Sequence, residues 1–208
     1  MRFPAFFKSV PSGTPFLVCW LAALGIGFGS LLIYSDAPGK ALSPQAHWPS
    51  GATLRPSPTL PTLVMVAHPQ CPCSRASMTE LGILMSELHG KVKTYILFYK
   101  PSGFDAGWEK TTLWQKAGKI PGVTVISDTD GVEAQHFHAT ISGQVFLYNP
   151  DHDHTLAFSG GITPSRGHEG DNAGLDAIRN TVNHLFTKQQ TTFAFGCPIF
   201  SLHSRGES

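Results

Sequence analysis

The sequence predicts an α/β domain, a mixed sheet finished by a hairpin and a last helix, carried behind one N-terminal membrane helix. Three observations predict it. Residues 16–34 run for nineteen positions without a charge. From Thr62 onward, short unbroken apolar runs alternate with segments of three- and four-residue apolar period. Two cysteines, Cys71 and Cys73, stand where the first run gives way to the first such segment.

Composition narrows the function before any motif does. Of 208 residues, 41% are hydrophobic and only 14% charged. An average soluble chain carries roughly 25% charged residues. A net charge of +1 provides no field for gripping nucleic acid, so no nucleic-acid partner is expected. Fourteen Phe supply material for a core and exclude a disordered chain.

The uncharged stretch 16–34 gives roughly 28 Å of helix at 1.5 Å per residue, close to the ~30 Å hydrocarbon core. Arg2 and Lys8 precede it and no acid appears before Asp36. The positive-inside rule therefore predicts a single-pass protein of the inner (cytoplasmic) membrane, with residues 1–15 in the cytoplasm and the rest facing the periplasm or exterior. Ala37-Pro38-Gly39 has the small residues of a signal-peptide cleavage site. Against cleavage, the apolar stretch exceeds the usual 7–15 residues of a signal core. Gly25 and Gly29 have the spacing of a small-residue seam between membrane helices. Residues 35–61 hold six prolines among Ser, Gly and Ala, and read as a semi-rigid spacer.

The domain is expected over residues 62–187, followed by an extension at 188–208. Leu63-Val64-Met65-Val66-Ala67 reads as a strand buried on both faces. Met78, Leu81, Leu84, Met85 and Leu88 mark a helix closed by Gly90. A second strand follows at 92–99, a helix at about 106–118 and a third strand at 122–127. A short helix (131–138) and strands near 143–149 and 155–160 come next. A last helix runs from about 172 to Phe186, capped by Asp171. Right-handed crossovers make the first three strands parallel and bring their carboxyl ends to one edge. Chemistry in such sheets sits at that edge, and Cys71 lies there.

Pro72 fits a first helical position, which makes Cys71 the expected N-cap. Its sulfur then faces free N–H groups at the positive end of a helix dipole, with Arg75 one step further. That environment favours thiolate, the reactive form of cysteine.

The segment Val64-Met-Val-Ala-His-Pro-Gln-Cys-Pro-Cys-Ser-Arg-Ala-Ser-Met-Thr-Glu-Leu81 resembles the active-site segment of membrane-anchored thioredoxin-like proteins. More narrowly, the chain resembles the redoxin-like group labelled RedB. The parts that suggest it are His68-Pro-Gln-Cys-Pro-Cys-Ser-Arg75, Phe158-Ser-Gly-Gly-Ile-Thr-Pro-Ser-Arg-Gly-His-Glu-Gly-Asp-Asn172 and Phe195-Gly-Cys-Pro-Ile-Phe200. The resemblance implies a thioredoxin-like fold, a central mixed sheet with flanking helices, and thiol–disulfide exchange with exported protein thiols or disulfides. It implies that Cys71 attacks. It also shows two departures. Ser74 stands where the family places its resolving cysteine, so Cys73 resolves across a Cys-x-Cys spacing. A bridge over one intervening residue closes a small, strained and easily reduced ring. The family's cis-proline position falls near Gly143.

The topology brings further residues to the same edge. His138, Ser142 and the loop 161–170, with Arg166 and His168, are expected near Cys71. Arg166 and His168 suit a local positive potential or proton transfer. His68 reads equally as base, ligand or strand-end residue. Ten residues separate Phe186 from Cys197, which at roughly 33 Å of reach allows return to the site. Cys197 then resolves a mixed disulfide, completes a metal site or stays a free thiol. The leading reading is an oxidoreductase that needs no cofactor. The alternative is a copper carrier with His68, Cys71 and Cys73 as ligands, since soft thiolates with an imidazole suit Cu(I). A thiol peroxidase fits less well. That group places Thr or Ser three residues before the reactive cysteine and Pro seven before it, where this chain has His68 and Val64.

Overall fold

The computed structural model describes residues 14–183 and 190–200. They fall into two compact units, one up to Asp36 and one from Ala37 onward. In the first, helix α1 (Thr14–Asp36) spans 23 residues and buries none of them. It is long and apolar enough to cross a membrane. Most of the expected cytoplasmic N-terminus lies outside the described residues, as do the predicted helix end at Phe186 and residues 201–208.

The second unit is built on one sheet. Its elements are β1 (Thr62–Ala67), α2 (Ser74–Glu87), β2 (Lys93–Lys100), α3 (Thr112–Ala117), β3 (Val123–Thr129), α4 (Val132–His136), β4 (Gln144–Tyr148), β5 (Leu156–Gly160), α5 (Ala173–Val182) and β6 (Gln190–Thr191). The strand order is β3-β2-β1-β4-β5-β6. Strands β1, β2 and β3 are parallel, whereas β4 runs antiparallel to β1 and β5 antiparallel to β4. The carboxyl end of β1, the start of β4 and the end of β5 therefore share an edge.

All six residues of β1 are buried, because the sheet is covered on both faces. Leu63, Met65 and Ala67 join a cluster with Met78, Leu81, Leu84 and Met85 of α2 and with Leu175 and Ile178 of α5. Val64 and Val66 point the other way, into a cluster with Ala134, Phe137, Phe146 and Tyr148. Each fully buried side chain of this size is worth roughly 1.5–3 kcal/mol. Central β1 is thus anchored from both sides, which fixes the position of the chain leaving it toward Cys71.

The proline-rich stretch behaves differently from the expected spacer. Residues 37–61 lie along the domain. Leu156 N–H donates to Ala46 O at 2.8 Å and Trp48 N–H to His154 O at 3.1 Å, extending the edge of the β4–β5 hairpin. The Trp48 ring meets Phe137 and Tyr148 edge-on at 5.1 and 5.2 Å. Ala52 and Leu54 are part of the second core cluster. Scattered apolar residues without a period carry no sequence signal, yet they cover a sheet face that would otherwise meet water.

Two further elements depart from expectation. The helix predicted over 106–118 is confined to α3, because Gly107 adopts φ +90° and separates short turns from the helix. The cap of α5 is Asn172 rather than Asp171, with its side chain accepting Leu175 N–H at 3.0 Å.

Candidate active site

Chain leaving β1 turns through His68, Pro69 and Gln70 into Cys71, a residue only 4% exposed. Cys71 is not the N-cap. The cap of α2 is Cys73, and its side chain makes no capping bond. Pro72 and Cys73 form a tight turn in which Ser74 N–H donates to Cys71 O and Arg75 N–H to Pro72 O, both at 3.2 Å. The turn places Cys71 just ahead of the helix, with its sulfur against the first helical residues.

The Cys71 sulfur gathers donors. Burial alone pushes its pKa up, but hydrogen bonds outweigh that cost and hold it at about 7, against an ordinary 9.0. The Ser74 hydroxyl, the Cys197 N–H and S–H and the Ser74 N–H all donate to it. Bonds to the charged form stabilise the anion, and each is worth more than a neutral pair. The serine donation is itself organised. Ser74 and Ser142 hydroxyls are 2.6 Å apart, and Ser142 Oγ accepts His68 N–H at 2.7 Å. Each hydroxyl has one proton. With the Ser74 proton on sulfur, Ser142 donates to Ser74 and accepts from His68, so every hydrogen in the chain points toward Cys71. Both serines are buried, at 0% and 1% exposure.

Cys73 and Cys197 behave in the opposite way. Burial raises the Cys73 pKa, the neighbouring Cys71 charge raises it further, and the Arg166 guanidinium opposes both. Burial and the Cys71 anion push Cys197 up to about 12. The arrangement favours the anion at Cys71 and the protonated thiol at its two neighbours.

Cys197 reaches the site on the segment after β6. Ser142 N–H donates to Cys197 O at 2.8 Å, and Ile199 N–H donates to Thr140 O at 2.9 Å. These bonds frame an isolated antiparallel bridge between Ile141 and Pro198. Gly196 allows the approach, since a Cβ there would stand 1.9 Å from Ser142 O. Arg166 ties the segment down, donating from Nη1 to Gly196 O and from Nη2 to Ala37 O at 3.0 Å. The sulfurs of Cys71, Cys73 and Cys197 all lie within 4.8 Å of one another.

Other expected residues have different positions. His68 does not belong to that group among the described residues. Its Nδ1 accepts Gln70 N–H at 3.2 Å, its ring stacks on Tyr99 and meets Trp108 edge-on, and burial lowers its pKa. His68 thus stands apart from the sulfurs of Cys71 and Cys73, and the group beside them is Cys197. His138 bonds Gln45 and Ser43 O, in the stretch that was expected to be a spacer. Arg75 is exposed, and the largest influences on Cys71 come from burial, Ser74 and Cys197. His168 is exposed, with Nδ1 at 2.9 Å from Ser165 Oγ in its own loop. Gly143, at the cis-proline position, has φ +91° and donates its N–H to Val66 O at 2.7 Å. Proline satisfies neither requirement. Sequence reasoning missed the Cys197 N–H as a donor, because backbone donors carry no residue signature.

The fold is thioredoxin-like, a mixed sheet with flanking helices behind one apolar N-terminal helix. No family model matches the chain, and no curated protein matches it. Solved structures do. A hypothetical protein from Sinorhizobium meliloti 1021 aligns with a TM-score of 0.57 and 14% identity over 79% of this chain and 97% of its own. An uncharacterized conserved protein from Geobacillus kaustophilus aligns with a TM-score of 0.55 and 17% identity, over 78% and 91%. A secreted Mycobacterium tuberculosis disulfide oxidoreductase homologous to E. coli DsbE reaches 0.41 and 16%, over 60% and 81%. At such identities the first two likenesses are of fold.

Proposed function

We propose that this chain is a membrane-tethered thiol–disulfide oxidoreductase that acts on exported protein thiols or disulfides through Cys71. One observation carries the reading: a buried sulfur held near a pKa of 7 with two protonated thiols within 4.8 Å. A thiolate of that pKa is both populated and nucleophilic near neutral pH.

The exchange is written from the residues present. Cys71 thiolate attacks one sulfur of a partner disulfide, the partner S–S bond breaks, and the departing thiolate takes a proton. A mixed disulfide then joins Cys71 to the partner. Forming it removes the Cys71 charge that had raised the Cys73 pKa, while Arg166 remains to favour the Cys73 thiolate. Cys73 attacks the Cys71 sulfur and expels the second partner thiol. Two electrons pass from the Cys71–Cys73 dithiol to the partner, and the reverse sequence oxidises a partner dithiol. Helix α1 is the tether, with the domain on the exported side.

The test uses the reduced full chain in detergent with a protein disulfide as substrate. Cys71→Ser lowers exchange to background. Cys73→Ser/Cys197→Ser, with both neighbouring thiols removed, accumulates the mixed disulfide on a non-reducing gel. Wild-type exchange by Cys71→Ser, or absence of the trapped species, overturns the reading.

A further inference from the structure

Exchange between two sulfurs leaves the third unexplained. Cys197 is delivered to the site by a segment held at several points, independently of its sulfur. Gly39 N–H donates to Ala194 O at 2.9 Å, Arg166 donates to Gly196 O, and Ser142 N–H donates to Cys197 O at 2.8 Å. Gly196 packs against Ser142 O at a separation that admits no side chain. Cys71 and Cys73 come from the turn ahead of α2. Two unrelated pieces of backbone thus converge three sulfurs within 4.8 Å.

Three thiolates around one ion, each at about 2.3 Å, stand roughly 4 Å apart when the ion lies in their plane. The observed separations, all within 4.8 Å, lie close to that requirement. We infer that Cys71, Cys73 and Cys197 form a three-thiolate site for a soft monovalent cation, copper(I). An all-sulfur donor set selects a soft ion. Among the described residues no His, Asp or Glu joins the group. Zinc favours four ligands in structural sites, whereas copper(I) is satisfied by three sulfurs.

Binding changes no oxidation state. Each thiol that enters the shell gives its proton to water, and three thiolates with one Cu(I) carry a net charge of −2. The Arg166 guanidinium and the N–H groups of Ser74 and Cys197 face that charge. Copper and a disulfide exclude each other here, because oxidising any two of the sulfurs removes two ligands. The site therefore loads in the reduced protein and releases its ion when a partner disulfide, itself reduced to two thiols, takes two electrons from two of the sulfurs.

The test is an anaerobic titration of the reduced full chain in detergent with Cu(I), against a chromogenic Cu(I) chelator. One copper per chain is expected, with near-ultraviolet thiolate-to-copper absorption and three sulfurs at about 2.3 Å by X-ray absorption. Cys197→Ser and, separately, Cys73→Ser leave two sulfurs and weaken binding by more than the roughly 10- to 100-fold that loss of an outer-shell partner costs. His68→Ala binds as the wild type does. Wild-type affinity in Cys197→Ser, stoichiometric displacement of copper by equimolar zinc, or no retention against the chelator overturns the inference. Exchange measured in excess chelator is free of copper, so loss of either activity is read apart from the other.

Discussion

Cys71 and Cys197 carry the same functional group within 4.8 Å of each other, yet one is held near pKa 7 and the other pushed up to about 12. Burial raises both. The difference lies in the direction of hydrogen bonds. Cys71 receives four donors from Ser74 and Cys197, whereas the Cys197 S–H is itself one of those donors. A sulfur becomes an anion because its surroundings are all donors, and each neighbouring thiol then stays protonated to serve it. The lesson is that reactivity at this site belongs to the arrangement of the three thiols and two serines, and not to cysteine burial or helix position alone.

The comparison breaks most severely if the tail is displaced. Gly196→Ala puts a Cβ against Ser142 O and removes both Cys197 donations. Each hydrogen bond to a charged group is worth about 1.5–3 kcal/mol, so the alkylation midpoint of Cys71 rises by about two pH units. The pH dependence of iodoacetamide reaction, with labelling mapped to Cys71, reads this directly. Ser74→Ala removes one hydroxyl donor and raises the same midpoint by about one unit. An unchanged profile in Ser74→Ala means the serine only packs.

Ser142→Ala sharpens the comparison by acting at one remove. Ser74 keeps its proton for sulfur but loses the partner that orients it, and the midpoint rises by about half a unit. It also strands His68 N–H, with a stability loss of about 1 kcal/mol by denaturant unfolding.

A pH series tests the two opposite shifts together. Unfolded Cys71 titrates near 9.0 and folded Cys71 near 7, so between these values the unfolded chain binds the extra proton. Stability of the reduced protein therefore rises with pH from about 7 to 9, and this contribution is lost as pH falls through the folded value. Cys197 is raised instead and opposes further gain above 9. Thermal midpoints of Cys71→Ala, measured beside the wild type, lose the rise between 7 and 9. The smallest effect belongs to Arg75. Arg75→Gln shifts the Cys71 midpoint by less than about 0.2 unit, because an exposed charge is screened by solvent and salt.

Much of the scaffold was legible in the chain, and the reasons are local. The unbroken run Leu63–Ala67 is a strand covered on both faces, and the spacing of Met78, Leu81, Leu84 and Met85 is the buried stripe of α2. Periodic burial writes itself into sequence. The proline-rich stretch does not read as part of the domain because its contacts, Trp48 with Phe137 and Tyr148, join residues 89 and 100 positions apart and have no period. The N-cap was misplaced by two residues because a Pro-containing turn precedes the helix in place of a regular first turn.

The site divides along the same line. Cys71, Cys73, Ser74 and Arg166 were visible as chemistry-bearing residues, and Ser142 as a neighbour through strand order. Their relations were not. Charge on Arg75 is as plain in the sequence as charge on Arg166, yet Arg75 is exposed whereas the Arg166 guanidinium opposes the upward shift of Cys73.

By itself the sequence determined an apolar helix, a two-sided sheet and a cysteine pair at its active edge, because periodicity and turn chemistry are properties of neighbouring residues. The sequence marked Cys71 as the expected thiolate and Cys197 as one candidate to join it; only the tertiary structure decided which donors hold the anion and that Cys197 reaches it. Those outcomes depend on the direction of individual hydrogen bonds between segments as distant as Cys71, Ser142 and Cys197, and direction in space is a relation that no local pattern encodes.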